Sequence, residues 1–374
     1  MIARPMPRRA ILKAAGLAAL GAGLPACASR RPGSLVWPEP PRRLARVHVS
    51  EDRIIRTVVG LRPFRPSGFV VRTEKIGDTT VVHNYGHGGG GITLSWGTSE
   101  LAVEEAWKTG QRRFAVLGCG AVGLASARLL QQRGGEVTIY AKDLPPRTTS
   151  NIAGGQWSPT SVMDGDRRTA ESDALLARAA RLSHRSFQQL PAAEFGIRWL
   201  ENYVLSDEPL QEWWEQSLVR DLYPESRELR RHEHPFPARY ARRFTTMLIE
   251  PPIYLSAMLR DVRLAGARIV VRELSRREQV QELPEPVVVN CTGLGAKALF
   301  ADEELRPVKG QLTFLLPQAE VDYIVIGDGL YMFPRRDGIL LGGTFEHDVW
   351  SLDVNEEARR RIMAGHRALF EGMR

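Results

Sequence analysis

Apolar and polar positions along the chain follow two periods, and the switching between them predicts an α/β protein. Phe114-Ala115-Val116-Leu117 is an unbroken apolar run, the signature of a strand buried on both faces. From Leu124 to Arg133 the residues Leu124, Ala127, Leu129 and Leu130 fall on one side, which is helical spacing. Glu136-Val137-Thr138-Ile139-Tyr140 reads as the next strand, and Val287-Val288-Val289-Asn290 as another buried one. The first three segments form a βαβ unit. Ahead of it, Arg53 to Arg72 alternates around Pro63 and Pro66, predicting strands broken by a turn. Thr79 to His83 is a strand that enters the glycine run Gly86 to Gly91, and Ser99 to Trp107 is a helix with Leu101, Val103 and Ala106 inward. The middle, 161–280, is mixed, with helices over 172–190 and 253–265 and strands near 197–204 and 267–273. Residues 311–343 are strand-rich, and Asn355 to Phe370 is a helix. No internal repeat is present.

A chain of 374 residues is long enough for one large α/β unit or two interleaved domains. Its net charge of +8 changes that picture little, because the charge is not spread over the body. Arg4, Arg8, Arg9 and Lys13 put four positive charges on residues 1–27. Arg30, Arg31, Arg42, Arg43 and Arg46, against Glu39, put a net four more on 28–46. The body from Val47 onward is neutral, which argues against a nucleic-acid partner.

Residues 1–27 carry the features of an export signal. Arg8-Arg9-Ala10-Ile11-Leu12-Lys13 resembles a twin-arginine signal, and the Ala/Gly-rich apolar run behind it is too short to span a bilayer. Leu24-Pro25-Ala26-Cys27 resembles a lipoprotein cleavage box, with Cys27 lipidated. The alternative is a small-residue signal-peptidase site beside an ordinary cysteine. The four prolines and five arginines of 28–46 suit an extended tether. The expected location is the periplasm or cell envelope, with a lipid anchor through Cys27 where the lipoprotein box is the one cleaved. Cys119 and Cys291 lie in apolar contexts, so no disulfide is expected. No His/Cys/Glu spacing suggests a metal.

Gly118-x-Gly120-x-x-Gly123 follows a strand and opens a helix inside the βαβ unit, where a dinucleotide fingerprint has to sit. The first glycine makes the turn, the second admits a pyrophosphate, and the third lets helix and strand pack. The phosphate then lies on a helix N-terminus, whose free N–H groups and dipole favour an anion. Gly118, Gly120, Ala121, Val122 and Gly123 are the residues assigned to it. The acidic residue usual at the end of the second strand is absent. Ala141-Lys142-Asp143 stands there, leaving Asp143 to reach a ribose from a shifted position.

The segment His83-Asn84-Tyr85-Gly86-His87-Gly88-Gly89-Gly90-Gly91-Ile92-Thr93-Leu94-Ser95-Trp96-Gly97 resembles the D-amino acid oxidase family. Arg62-Pro63-Phe64-Arg65-Pro66 is similar to that family's substrate-arginine segment. Thr148-Thr149-Ser150, Ala153 to Pro159, Asn290 to Gly293, Tyr331 to Pro334 and Leu341-Gly342-Gly343 complete the likeness, which covers nearly all of 48–374. The order departs from the family: segments usual near the C-terminus come first, at 48–107, and Lys108 to Arg113 joins them to the fingerprint strand. The resemblance thus implies a circularly permuted chain.

The resemblance implies a Rossmann-type FAD-binding domain interleaved with a mixed-sheet substrate domain. Its parts are 1–27 (signal), 28–46 (tether), 47–110 (relocated segment), 111–160 (FAD-binding βαβ), 161–284 (mainly substrate domain), 285–305 (FAD-domain strand and loop) and 306–374 (substrate-domain sheet and helix). FAD would be held by the fingerprint, by Lys142, Asp143, Thr148, Thr149, Ser150, Gly154, Gly155, Gln156, Thr292 and Gly293, and by Gly88, Gly89, Gly90, Gly91, Ile92 and Thr93 at its pyrimidine edge. Arg62 would clamp a substrate carboxylate with its planar fork. Tyr331 would add a hydrogen bond, and the Gly89 carbonyl would hold the amine. His83 and His87 are read as structural, since hydride transfer needs no protein base. The family's second tyrosine, on its lid, is replaced by Gly327 in a shortened stretch, which suggests a more open pocket. The expected reaction turns a D-amino acid into a 2-oxo acid and ammonia, with O2 as acceptor or a quinone in its place. Oxidation of D-aspartate, or of glycine and sarcosine, is the alternative. D-Aspartate oxidases carry an extra arginine where Tyr323 to Gly327 has no basic residue, so neutral side chains are expected.

Overall fold

The computed structural model describes residues 43–374, which form one compact unit. In chain order the strands are β1 (Ile54–Phe64), β2 (Val70–Ile76), β3 (Thr79–Tyr85), β4 (Arg113–Leu117), β5 (Glu136–Ala141), β6 (Ile197–Ser206), β7 (Arg227–Leu229) and β8 (Tyr240–Ile249). They continue with β9 (Arg268–Val271), β10 (Val287–Asn290), β11 (Arg306–Leu315), β12 (Tyr323–Gly327), β13 (Leu330–Arg335), β14 (Gly338–Gly342) and β15 (Glu346–His347). The long helices are α1 (Gly91–Trp107), α2 (Ala121–Gln132), α3 (Ala170–Gln189), α4 (Pro251–Leu264) and α5 (Glu356–Glu371).

Two sheets share these strands. The smaller has the order β2-β3-β10-β4-β5-β9. Only the β2–β3 pair is antiparallel; β3, β10, β4, β5 and β9 run parallel. Phe114 to Leu117 of β4 and all of β10 are buried, so the two apolar runs form the sheet's centre, covered on both faces. Helix α1 packs on α2 and α3, and α2 packs on α4. The larger sheet runs β1-β11-β14-β13-β12-β6-β8-β7, with β15 beside β11. The architecture is therefore α/β, a Rossmann-type unit interleaved with a mixed sheet. Residues 48–107 contribute to both parts, β1 to the large sheet and β2, β3 and α1 to the small one.

Two elements and one boundary differ from the sequence expectation. Helix α1 begins at Gly91 rather than Ser99, because Thr93 to Ser99 are buried and tertiary packing overrides the poor helix propensity of Gly91, Gly97 and the Thr/Ser positions. Strand β8, ten residues pairing β6 across Ser206 to Ile197, has no counterpart in the expectation. Its Arg242-Arg243 and Thr245-Thr246 interrupt the apolar run. The compact unit begins at Arg43, four residues before Val47, since Leu44 and Ala45 pack on the core around Val47 and Met373. The export-signal reading and all but the last four residues of the tether lie outside the described residues.

The two ends of the unit meet. The Arg46 guanidinium donates to the Met373 carbonyl. Tyr323 Oη donates to the Ala45 carbonyl at 2.5 Å. Val47, Val49, Phe370 and Met373 share one buried cluster.

Candidate active site

A cavity of about 1420 Å³ lies between the sheets, larger than the few hundred Å³ of most small-ligand sites and of a size for a dinucleotide with a substrate. Two helices begin at its wall: α2 through Ala121 and Val122, and α1 through Gly91, Ile92 and Thr93. Neither helix start has a side-chain N-cap from its own preceding residue. Each therefore offers free N–H groups and the positive end of its dipole to an anionic or electron-rich ligand.

At α2 the turn is made by Gly118, whose φ is +100°. A Cβ on it would lie 2.5 Å from the Cys291 carbonyl oxygen, so no other residue fits. The Ser150 hydroxyl accepts the Ala121 N–H at 3.0 Å. Thr148, Thr149, Ser150, Lys142 and Asp143 all line the same wall, as do Gly154, Gly155, Gln156, Thr292 and Gly293. Lys142 is engaged by Glu273 at 2.9 Å. The Gln156 amide donates to Asn202 Oδ1 at 2.7 Å, which fixes its orientation.

Arg62 stands on β1 and Tyr331 on β13, and the structure brings them together. The Arg62 guanidinium donates to Tyr331 Oη at 3.4 Å and to the Thr344 carbonyl at 3.2 Å. Its carbon lies 4.6 Å from the Phe345 ring centroid, a cation–π contact that flattens the fork against an aromatic face. Burial raises the Tyr331 phenol's pKa against the lowering effect of Arg62, so the hydroxyl stays a donor. Both residues line the cavity, and Arg62 pairs with no carboxylate among the described residues. A half-buried guanidinium left without an anion is one that a ligand carboxylate can complete.

Gly88 and Gly89 also line this wall, but the glycine run is less available than its sequence implies. Gly89 N–H is spent on the Ser161 carbonyl at 2.9 Å and Gly90 N–H on the His87 carbonyl at 2.9 Å. The Thr93 hydroxyl takes the Ser158 N–H at 3.1 Å. What remains for a ligand is the start of α1. Two of the expected binding residues stand behind the wall rather than in it. Gly90 packs against Val162, and Gly123 packs against the Gly118 turn, where a Cβ would lie 2.1 Å from a carbonyl oxygen.

His87 is fully enclosed, hydrogen-bonded to Thr98 Oγ1 at 2.9 Å and stacked on Phe69 at 5.4 Å. Burial pushes its pKa down to about 3, leaving it neutral. His83 faces Glu74 at 3.1 Å and Asn290 at 3.0 Å on the neighbouring strands of the small sheet. Burial lowers its pKa as well, and neither ring is placed to take a proton. Cys119 and Cys291 are free thiols whose burial pushes them up to about 12.

Sequence reasoning missed Gly310, Phe345 and Glu215. A Cβ on Gly310 would sit 2.6 Å from the Arg62 fork, so β11 must carry glycine there for the fork to lie across it. Gly342 and Gly343, noted only as part of a motif, leave room for the Tyr331 ring, which a Cβ would approach to 2.2 and 2.1 Å. These are close approaches between distant segments, and no local pattern announces them.

The fold and cavity have counterparts among known proteins. A family model described as DAO, FAD dependent oxidoreductase, matches residues 39–105 and 113–374. A D-amino-acid oxidase of Rubrobacter xylanophilus is 31% identical over 258 residues, 67% of this chain and 75% of that protein. A D-amino-acid oxidase of Streptomyces coelicolor is 32% identical over 255 residues, 66% of this chain and 74% of its own length. The crystal structure of glycine oxidase from Geobacillus kaustophilus shares the fold, with a TM-score of 0.55 at 17% identity, covering 70% of this chain and 80% of that one.

Proposed function

Because the chain belongs to the DAO family of FAD-dependent oxidoreductases, we propose that it oxidises D-amino acids to imino acids, which hydrolyse to 2-oxo acids and ammonia. The residues present fit FAD: the glycine cradle at Gly118 has no space for a Cβ, and two helix starts open into one cavity large enough for the cofactor. FAD held there would supply the two-electron acceptor for hydride from the substrate Cα. Gly118 to Val122 and Ser150 would hold its diphosphate, and the start of α1 would face the electron-rich ring edge.

The chain's own work is to bind and align. Arg62 receives the substrate carboxylate on its fork, and Tyr331 Oη donates a second hydrogen bond to it. The Gly89 carbonyl accepts from the amine. With carboxylate and amine both held, the Cα–H bond has one orientation, and alignment of that kind contributes substantially to such a reaction's acceleration. Among the described residues that line the cavity, the cations other than Arg62 all follow β5 or β9, on the wall assigned to FAD, which disfavours acidic substrates such as D-aspartate. The observation that carries this reading is the Arg62–Tyr331 pair, 269 residues apart in sequence and joined at the cavity wall. Oxygen is the proposed acceptor, with hydrogen peroxide as product, and a quinone is the second reading. Air-saturated assays should give peroxide and ammonia in equal amounts from D-amino acids and neither from L-amino acids. Absence of peroxide with turnover of an added quinone would move the acceptor assignment.

The circular order is also a proposal. It is supported by the contact of Arg46 with Met373 and by the break between the two matched stretches at 106–112. Export, with a tether of 28–46 and lipidation at Cys27, is proposed from residues 1–27 alone. Mass spectrometry of the mature N-terminus, which distinguishes a lipidated Cys27 from a simple cleaved end and from an intact leader, tests it.

A further inference from the structure

Charge is unevenly placed around the cavity. Apart from Arg62, its basic lining residues, Lys142, Arg147 and Arg272, all follow β5 or β9. Two acids, Asp143 and Glu273, stand among these bases and pair with Arg147 and Lys142, and the remaining acids lie elsewhere. The loop leaving β6 brings Glu208, Glu212 and Glu215 to the wall, and Asp328 lies in the turn between β12 and β13. Because Gly327 pairs with Leu205 and Ile326 with Tyr331, that loop and that turn leave the sheet on the side where Tyr331 stands.

Glu215 is unlike the other acids. Glu208 and Asp328 are exposed, and Glu212 is paired with Arg220. Glu215 is only 7% exposed and makes no ion pair among the described residues. Arg168 acts on Glu215 only through its longer-range charge, since its guanidinium stacks on Trp214 at 4.3 Å and pairs with Asp173 at 2.6 Å. One carboxylate oxygen of Glu215 accepts the Ser161 N–H at 3.0 Å, and the Ser161 carbonyl accepts the Gly89 N–H at 2.9 Å. The carboxyl is therefore tied, through one residue, to the glycine proposed to hold the substrate amine. A buried carboxylate without a cation is costly to keep. In the wall of a substrate cavity, that cost is relieved by a ligand ammonium or guanidinium. Leu210, Trp214 and Ile326 line the same wall and suit a methylene stem.

We propose that Glu215 receives the substrate side chain, and that the preferred substrates are D-amino acids with a cationic side chain, such as D-lysine and D-arginine. This departs from the expectation of neutral side chains, which took account of missing bases but not of the acids on the β6 loop. It rests on the D-amino acid oxidation proposed above. The test compares D-lysine and D-arginine with D-norleucine, an uncharged substrate of similar length, in the wild-type holoenzyme and in Glu215→Gln. Glutamine keeps the acceptor for Ser161, and bound FAD is checked by absorption. Wild-type kcat/KM should favour the cationic substrates by about tenfold or more, and Glu215→Gln should remove most of that ratio through KM. Equal or poorer use of D-lysine and D-arginine by the wild type, or a ratio that survives in Glu215→Gln, overturns the assignment. If no D-amino acid, D-norleucine included, reduces the flavin, the oxidase reading itself falls instead.

Discussion

Arg62 does its work through what surrounds it. Replacing it with alanine should weaken kcat/KM by about 2–4 kcal/mol, mostly as KM, because a charge-assisted clamp on the carboxylate is lost. FAD content should be unchanged; a wild-type KM would remove Arg62 from the site. Gly310→Ala is a sharper test, since its Cβ would intrude to 2.6 Å from the fork without touching the residues assigned to FAD. It should raise KM in the same direction with the flavin spectrum preserved. His87 offers a test through stability rather than activity. Its folded pKa, about 3, lies below the ordinary value of 6.5, so the unfolded chain binds a proton that the folded one refuses. Stability is thus held above pH 6.5 and lost as pH falls toward 3, by about 2 kcal/mol at pH 5 from this group. Urea titrations at pH 7 and pH 5 should show the loss, and His87→Gln should flatten it. At this scale Arg62 and Tyr331 were legible because each sits in a distinctive short motif. Gly310 and Glu215 were not: a glycine in a strand and a glutamate in an acidic loop have ordinary local surroundings, and only the fold gives them neighbours.

Among the elements, the βαβ unit was readable because its strands are wholly apolar and its helix is amphipathic, so period and burial agree. β4 and β10 pair as such runs should, in the centre of a parallel sheet. Helix α1 was truncated in the reading because its first two turns, rich in glycine, serine and threonine, are poor helix formers held by burial. Its early start matters, since those turns carry the helix N-terminus to the cavity. Gly118→Ala tests the other helix start. The substitution would put a side chain at φ +100° and a Cβ 2.5 Å from the Cys291 carbonyl oxygen. The expected result is protein purified largely without FAD and with a lowered melting temperature. A variant that kept full flavin content would contradict the role given to the turn.

For the whole molecule, the proposed permutation of segments is the feature least explained by local chemistry. Each sheet pairs a strand from the first sixty residues of the unit with one from its C-terminal third, β1 with β11 in the large sheet and β3 with β10 in the small one, so neither sheet could form from one half of the chain. Since Arg46 already touches Met373, a gene that starts near Arg112, joins Arg374 to Val47 through a few residues and ends near Trp107 should fold, bind FAD and keep its activity. Loss of folding in that rearranged chain would count against the permutation. Anaerobic reduction of the bound flavin tests the chemistry at Arg62 and Tyr331 most directly. Under argon, a panel of D-amino acids should bleach the oxidised flavin band within the mixing and turnover time, while the L-enantiomers leave it yellow. A flavin that stays oxidised with every D-amino acid, or that bleaches equally with L-enantiomers, would contradict the account.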